Sequence, residues 1–562
     1  MGAITDESSP DHSTIINLVR SLAALAKKED QRDEIVATLD QLAVALRDGQ
    51  TDLPGILVQL LKDGDSEVLR QVARAAANLV IDCDENRERL VTAGYIDSVL
   101  SHPTFELDVH SAPAPTILAV TASLHNLTVD KHPFALSVLK QEIHTRTIID
   151  FTQRWTEDFY STSALDETST IARWAWSIVS NLLEEPVPPL PSNALSTFLL
   201  PLTHYLTSID IDVDTHLHIL THACNALETS SSQEGSMRHN VLGILDALTA
   251  FVEKAIVPIQ PDAAQEGDED EDDEDEGDYE KRLGKAKATI VRILVDLSIN
   301  VPASSPFWDT MRAWLEMEDR SDLLNCALLS FGNSVKDADA SAKSLLQGKE
   351  SLLPKIISLL SSATPAIIQH SVIGLLKNLS VARDNQDVLG DAGVIEKLYE
   401  MGVWLEKTDM LGSVQGGAAG IIKNLCRANA SNALRFLALP LEPLLDLIKR
   451  VDDPALKFEC TRVFVNVIKS LAMAQESVKP LGGTRIVEAL TIMLVEGEKY
   501  PVLQSESVIA LTLLATFGGE DARIAVKTSL KGVGIDMIRK MAEDPRKEVR
   551  ENATTLLRAV DR

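Results

Sequence analysis

The chain has 562 residues, 45% of them apolar and only 4% aromatic, and carries 53 Lys and Arg against 83 Asp and Glu, for a formal net charge of −30. That length means several domains or one long repeat array, and the aromatic content favours helices packed through Leu, Ile, Val and Ala. The charge argues against nucleic acid or an anionic membrane as the main ligand and suits a cationic partner. Twelve of the acids lie in residues 266–280, which hold no base; subtracting them from −30 leaves −18, so the remainder is acidic too.

Residues 1–12 read as a disordered N-terminus, and MGAITDESSPDHST lacks the apolar run of a secretion signal. No 18-residue apolar stretch occurs, so no membrane insertion is expected. The five cysteines, Cys83, Cys224, Cys326, Cys426 and Cys460, are widely spaced and read as reduced core thiols. The expected compartment is the cytoplasm, with the nucleus as the alternative.

From Asn78 onward one pattern recurs: an apolar helical run, an Asn, then an apolar residue. It appears at Asn78, Asn126, Asn181, Asn225, Asn333, Asn378, Asn424 and Asn466, with spacings of 48, 55, 44, 108, 45, 46 and 42. The long gap divides into 71 and 37 if ILVDLS is a copy with Asp296 in the Asn slot. A second piece, a Gly followed by an apolar helix start, recurs at Gly94, Gly393 and Gly534. A period of 42–48 with a Gly turn and two long apolar helices defines the armadillo/HEAT class. The expected fold is all-α, an armadillo-repeat right-handed superhelical solenoid, with the Asn-bearing third helices side by side. Residues 13–257 form N-terminal repeats, 258–282 an acidic disordered insertion, and 283–562 C-terminal repeats. The four prolines of residues 184–193 require a loop.

Two features of the ladder carry binding chemistry. A third-helix Asn can hydrogen-bond an extended peptide or, equally, the backbone of the neighbouring repeat. The positions three and four after each Asn share its helical face. They hold Asp82 after Asn78, Asp130 after Asn126, Glu184 and Glu185 after Asn181, Glu228 after Asn225 and Asp337 after Asn333. Asn378, Asn424 and Asn466 have no acid there. Acids near a helix C-terminus oppose the macrodipole by roughly 0.3–1 kcal/mol each, a cost that a cationic ligand would offset. The polybasic-segment site is therefore expected across Asn78, Asp82, Asn126, Asp130, Asn181, Glu184, Glu185, Asn225 and Glu228.

Catalytic and metal chemistry are not expected. His216, His218, His222 and Cys224 lie close in sequence without an H-E-x-x-H motif and read as helix-surface or groove residues rather than metal ligands. Neither a P-loop nor a G-x-S-x-G elbow occurs, so no cofactor and no catalytic residue is assigned.

Residues 67–100, 369–398 and 502–519 resemble repeats of the small-GTPase dissociation stimulator family, SmgGDS. The resemblance implies an armadillo protein that binds Rho- and Rap-like GTPases with polybasic, prenylated C-termini, acting as chaperone and, for some clients, as guanine nucleotide exchange factor. An exchange factor of this kind needs no catalytic base, because it binds the nucleotide-free state better than the loaded one. The acidic insertion and the proline-rich loop depart from the family. The resemblance further implies that the G domain meets Asn333, Asp337, Gln369, His370, Asn378 and Asn424. The chain itself is expected to be monomeric. Two alternatives are a passive scaffold and a nuclear-import adaptor for basic peptides. An adaptor would stack lysines on a Trp four residues before each Asn, but position 177 is Ser.

Overall fold

The computed structural model describes residues 53–63, 66–107, 109–161, 166–184, 186–205, 212–232, 243–256, 274–336, 344–348, 351–405 and 412–561. Among them every regular element is an α- or 3₁₀-helix, and no helix is long and apolar enough to cross a membrane. The chain divides into two compact units, Met1–Leu294 and Val295–Arg562.

In the first unit the ladder asparagines sit on α1 (Ser66–Leu79), α2 (Ala114–Thr128), α3 (Asp166–Leu182) and α4 (Val213–Ser232), each packed on the next. Helix α5 (Glu274–Leu297) carries the unit boundary between Leu294 and Val295. In the second unit α6 (Ser321–Ser334), α7 (Ala366–Leu379), α8 (Gly412–Leu425), α9 (Pro454–Met473), α10 (Pro501–Phe517) and α11 (Lys547–Asp561) also pack in chain order. Each unit is thus an all-α armadillo-repeat solenoid. Because α7 lies between α6 and α8, it buries Ile368, Val372, Ile373, Leu375, Leu376 and Leu379, more than one stripe around its axis.

Between ladder helices run two shorter ones. Gly393 (φ 79°) turns Arg383–Asp391 into Val394–Met401, and Gly94 (φ 86°) does the same between Asp84–Thr92 and Tyr95–Leu100. Both take the left-handed conformation that only glycine adopts without cost. At the third copy the left-handed residue is Gly532 (φ 81°), and Gly534 is buried within the helix Val533–Ala542. The Gly-x-Gly sequence placed the bend two residues late.

What joins the repeats is a set of side-chain amides aimed at helix ends. The last four carbonyls of an α-helix have no intrahelical donor. Asn126 Nδ2 donates to Ala77 O at 3.2 Å, Asn378 to Gly332 O at 2.9 Å, Asn424 to Lys377 O at 3.4 Å and Asn466 to Lys423 O at 2.8 Å. Each acceptor lies one residue before the Asn slot of the preceding ladder helix. Asn333 donates to Val295 O at 2.9 Å, which identifies Asp296 as the slot residue of α5. Asn181, after the longest regular spacing, reaches Thr128 O instead, at 3.1 Å.

A second set of amides, not expected from the sequence, caps the final carbonyl of three ladder helices, α1, α7 and α8. Asn86 donates to Leu79 O at 3.0 Å, Asn385 to Leu379 O at 3.1 Å and Asn432 to Leu425 O at 3.1 Å, all three from full burial. Asn432 Nδ2 also reaches Gln386 O of the preceding repeat at 2.9 Å. A Cβ on Gly390 would stand 1.9 Å from Asn432 Oδ1, so glycine is required there for the close approach.

Helix α5 begins at Glu274, so residues 274–282 of the expected insertion are helical. Arg282 Nη1 meets Asp214 at 2.6 Å and ties the start of α5 to α4. Residues 1–12 and 257–273 lie outside the described residues. The proline-rich stretch is a loop, as expected. Cys224, Cys326, Cys426 and Cys460 are buried.

Asn432→Ala would leave the carbonyls of Gln386 and Leu425 buried without this donor. We expect a loss of about 2–6 kcal/mol from the second unit, at roughly 1–3 kcal/mol per unsatisfied buried group, and about half as much for Asn466→Ala. Urea midpoints of the two variants check this.

Candidate functional site

Asp82 and Asp130 each follow a ladder Asn by four residues, and both take the left-handed conformation, with φ 50° and 57°. Ala428 occupies the same slot after Asn424, with φ 55°. This slot is where the chain leaves the ladder helix, and a short polar Asp tolerates that backbone better than most residues. The acids here therefore have a local reason to exist as well as a charge to offer.

The structure brings these two together. Asp82, Asp84, Asp130, Arg87, His132 and Pro133 line a depression of about 250 Å³. Arg87 is nearly buried; its Nη1 meets Asp84 Oδ1 at 2.6 Å, and its Nε donates to Asn126 O at 3.2 Å. His132 Nε2 stands 3.9 Å from Asp84 Oδ1. Three carboxylates thus face one guanidinium, and that guanidinium is committed to Asp84 and the backbone. Asp82 and Asp130, from successive repeats, are exposed and have no ion pair among the described residues.

The rest of the expected acidic stripe is differently placed. Lys131 Nζ donates to Glu184 Oε1 at 2.5 Å, and Lys140 donates to the Glu184 carbonyl at 2.7 Å. Arg292 grips Glu228 with both carboxylate oxygens, at 2.9 and 3.3 Å. A cationic ligand at either Glu would have to displace a resident base. Asn78 is half-buried and engaged, and Asn225 is exposed with no hydrogen bond among the described residues. Glu185 and Asp337 lie outside the described residues.

In the second unit Asn333, Asn378 and Asn424 spend an amide hydrogen on the preceding repeat. Gln369 Nε2 donates to Ser361 O and Thr364 O in its own loop, at 3.3 and 2.9 Å. His370 Nδ1 lies 3.1 Å from Ser413 Oγ and links α7 to α8. These five residues occupy adjacent helices, and all but Gln369 have a bond that serves the stack. Reading the ladder alone missed Asp84, Arg87 and His132, although Asp84 and Arg87 follow Asp82 closely in the sequence.

The histidines of α4 make contacts within the stack, and only His216 is fully buried. His216 is buried, with Nδ1 2.8 Å from Tyr160 Oη and its ring stacked on Tyr205. His218 Nε2 lies 3.2 Å from Ser177 Oγ, and its ring meets that of His222 edge-on at 4.5 Å. Burial lowers His216 and His222 to about 4. Burial also pushes the Cys224 thiol well above its ordinary value. Among the described residues no three His, Cys, Asp or Glu side chains converge as a metal ligand set.

No protein-family model and no curated protein matches the chain. Solved structures do show likeness. A chain from a study of a phosphorylation switch between cadherin and β-catenin aligns with a TM-score of 0.45 at 12% identity, over 97% of this chain and 95% of that one. An engineered protein aligns at 0.40 and 17% identity, over 91% and 100%. A designed armadillo repeat protein in complex with a (KR)4 peptide aligns at 0.33 and 18%, over 44% and 98%. At TM-scores below 0.5 these likenesses say nothing of a ligand for this chain.

Nε2 of His216 and Nδ1 of His222 are buried without a hydrogen-bond partner among the described residues, so a proton added to either has no acceptor there. Between pH 6.5 and about 4 the unfolded chain takes up those protons and the folded one does not. Stability therefore falls as pH drops through that window, by up to about 1.4 kcal/mol per pH unit for each histidine. The double variant His216→Gln/His222→Gln is expected to flatten the pH dependence of the melting temperature between pH 7 and 4.5.

Proposed function

We propose that this is a non-enzymatic peptide-binding armadillo protein whose first unit receives a lysine-rich extended segment at Asp82 and Asp130. The open carboxylate cluster carries this reading: two exposed acids from successive repeats, with no ion pair of their own among the described residues, flank a concave depression whose one guanidinium, Arg87, is held by Asp84. A flexible ammonium can approach both without displacing Arg87. The client we assign is a Rho- or Rap-like small GTPase with a polybasic, prenylated tail, which rests on the resemblance of residues 67–100, 369–398 and 502–519. The G domain would then meet the surface around Asn333, Gln369, His370, Asn378 and Asn424, and Asp337, four residues after Asn333 in the sequence, belongs to the same assignment. Chaperoning follows from shielding the tail, and exchange from preferring the nucleotide-free client.

The test keeps the backbone intact, because Asn tolerates the left-handed slot as Asp does. Asp82→Asn/Asp130→Asn should weaken binding of a labelled hexalysine peptide about two- to thirtyfold at low salt. That range corresponds to two ion pairs of roughly 0.2–1 kcal/mol each. It should also reduce the salt dependence of the affinity. Equal anisotropy titrations for wild type and variant would refute the site. For the client assignment, stimulated release of a fluorescent nucleotide from prenylated Rho- and Rap-like GTPases is the measurement, and no acceleration with any of them would remove exchange from the proposal.

A further inference from the structure

The charge of the ladder slots reverses in the second unit, where the third residue after Asn424 is Arg427 and the third after Asn466 is Lys469. The same slots after Asn181 and Asn225 hold Glu184 and Glu228. Lys423, Arg427, Arg462 and Lys469, with Asn424 and Asn466, surround a cavity of about 330 Å³, within the size range of ligand clefts, roughly 300–1,000 Å³.

The cations outnumber the acids that hold them. Arg462 lies in the fork of Glu506, with Nε at 2.7 Å and Nη2 at 3.1 Å, and also 3.5 Å from Glu459. Lys423 shares Glu459. Those two acids are used up, and Arg427 and Lys469 have no carboxylate partner among the described residues. Lys377 approaches from α7: a Cβ on Gly420 would stand 3.1 Å from both its Cε and Glu459 Oε1. Burial holds the Lys423 ammonium below the ordinary lysine range despite Glu459, and Arg462 and Lys377 push the same way. The protein has therefore gathered positive charge here in a chain whose total is −30.

Helix α9 builds the far wall. It runs seven residues past Asn466 to Met473, whereas α7 and α8 end one residue after their ladder Asn. The extra turns carry Lys469, Ser470 and Met473 to the cavity, and Met473 is 75% exposed. A basic residue that only countered a helix dipole would require neither the concavity nor an exposed methionine beside it.

We propose that this cavity of the second unit binds an acidic peptide segment, whose carboxylates pair with Arg427 and Lys469 while its apolar side chain covers Met473. The guanidinium of Arg427 can take a carboxylate with two parallel N–H bonds. Asn466 keeps a second amide hydrogen and its Oδ1 for the peptide backbone, since its one side-chain bond among the described residues goes to Lys423 O. A long polyanion is disfavoured, because duplex or membrane would face the acidic remainder of the protein. A short segment feels only the cavity, as charges are screened beyond about 8 Å at physiological salt. This site is independent of the lysine-rich site at Asp82 and Asp130, and the protein would thus hold peptides of opposite charge in its two units.

The probe is a fluorescein-labelled hexaglutamate peptide, titrated with the full chain and read by anisotropy. Wild type is expected to bind with an affinity that falls as salt rises. The uncharged pair Arg427→Gln/Lys469→Gln should lose tenfold or more, and Arg427→Glu/Lys469→Glu all measurable binding, with far-ultraviolet circular dichroism and hexalysine binding unchanged. Equal hexaglutamate affinity in wild type and the glutamine pair would overturn the proposal. So would a labelled single-stranded oligonucleotide, or phosphatidylserine vesicles, that bind more tightly than hexaglutamate and lose that binding in the same variants.

Discussion

The architecture depends on an elementary debt of the α-helix: its last carbonyls find no donor within the helix. A repeat protein that buries one helix end per repeat must satisfy them every time. Here two amides share the task. The ladder Asn reaches back to the carbonyl two residues before the end of the preceding helix, as Asn378 does to Gly332 O. The Asn of the following short helix covers the last carbonyl, as Asn385 does at Leu379 O. Gln386 and Arg87 then cap the carbonyls of the next ladder residues, Asn424 and Asn126. The polar weave runs along the stack and fixes the register of each helix on its predecessor, which hydrophobic contacts alone leave loose.

This division of labour explains why the period was legible and the chemistry less so. The amide must recur because the helix end recurs, so Asn at spacings of 42–55 is visible in the bare sequence. Gly94 and Gly393 were legible for the same kind of reason, a backbone requirement met by one residue type. Gly532 was not, because Gly-Val-Gly offers two candidates and only folding decides between them. The fate of the acids was out of reach altogether. Glu184 is paired by Lys131 and Glu228 by Arg292, partners 53 and 64 residues away whose approach no local pattern encodes. Asp82 and Asp130 look much like them in sequence, one residue further from the Asn, and have no ion pair among the described residues.

The asparagine ladder and the charged slots next to it thus stand under different constraints. Removing an amide uncovers a carbonyl and is felt as lost stability. Changing the residue three or four places on, at an exposed helix end, leaves the stack bonded. Charge there is free to vary: acid at Asp82 and Asp130, base at Arg427 and Lys469, uncharged at Val381 and Ala428. The one backbone demand, a left-handed residue at Asp82, Asp130 and Ala428, selects for tolerance of that conformation rather than for sign.

A fold in which structure and recognition occupy neighbouring but separate positions can acquire different ligands along its length without redesigning its core. The ion pairs show how finely that freedom is used. Where a base is supplied from within, as by Arg292 to Glu228, the slot contributes only a weak surface bond, worth at most about 1 kcal/mol. Where none is supplied, the same slot presents uncompensated charge to solvent beside a concavity. The sign of a slot is therefore less informative than whether the neighbouring repeat answers it, and by that criterion the acids at Asp82 and Asp130 and the bases at Arg427 and Lys469, which have no ion pair among the described residues and each stand beside a concavity, are places on the ladder where a partner's charge has much to add.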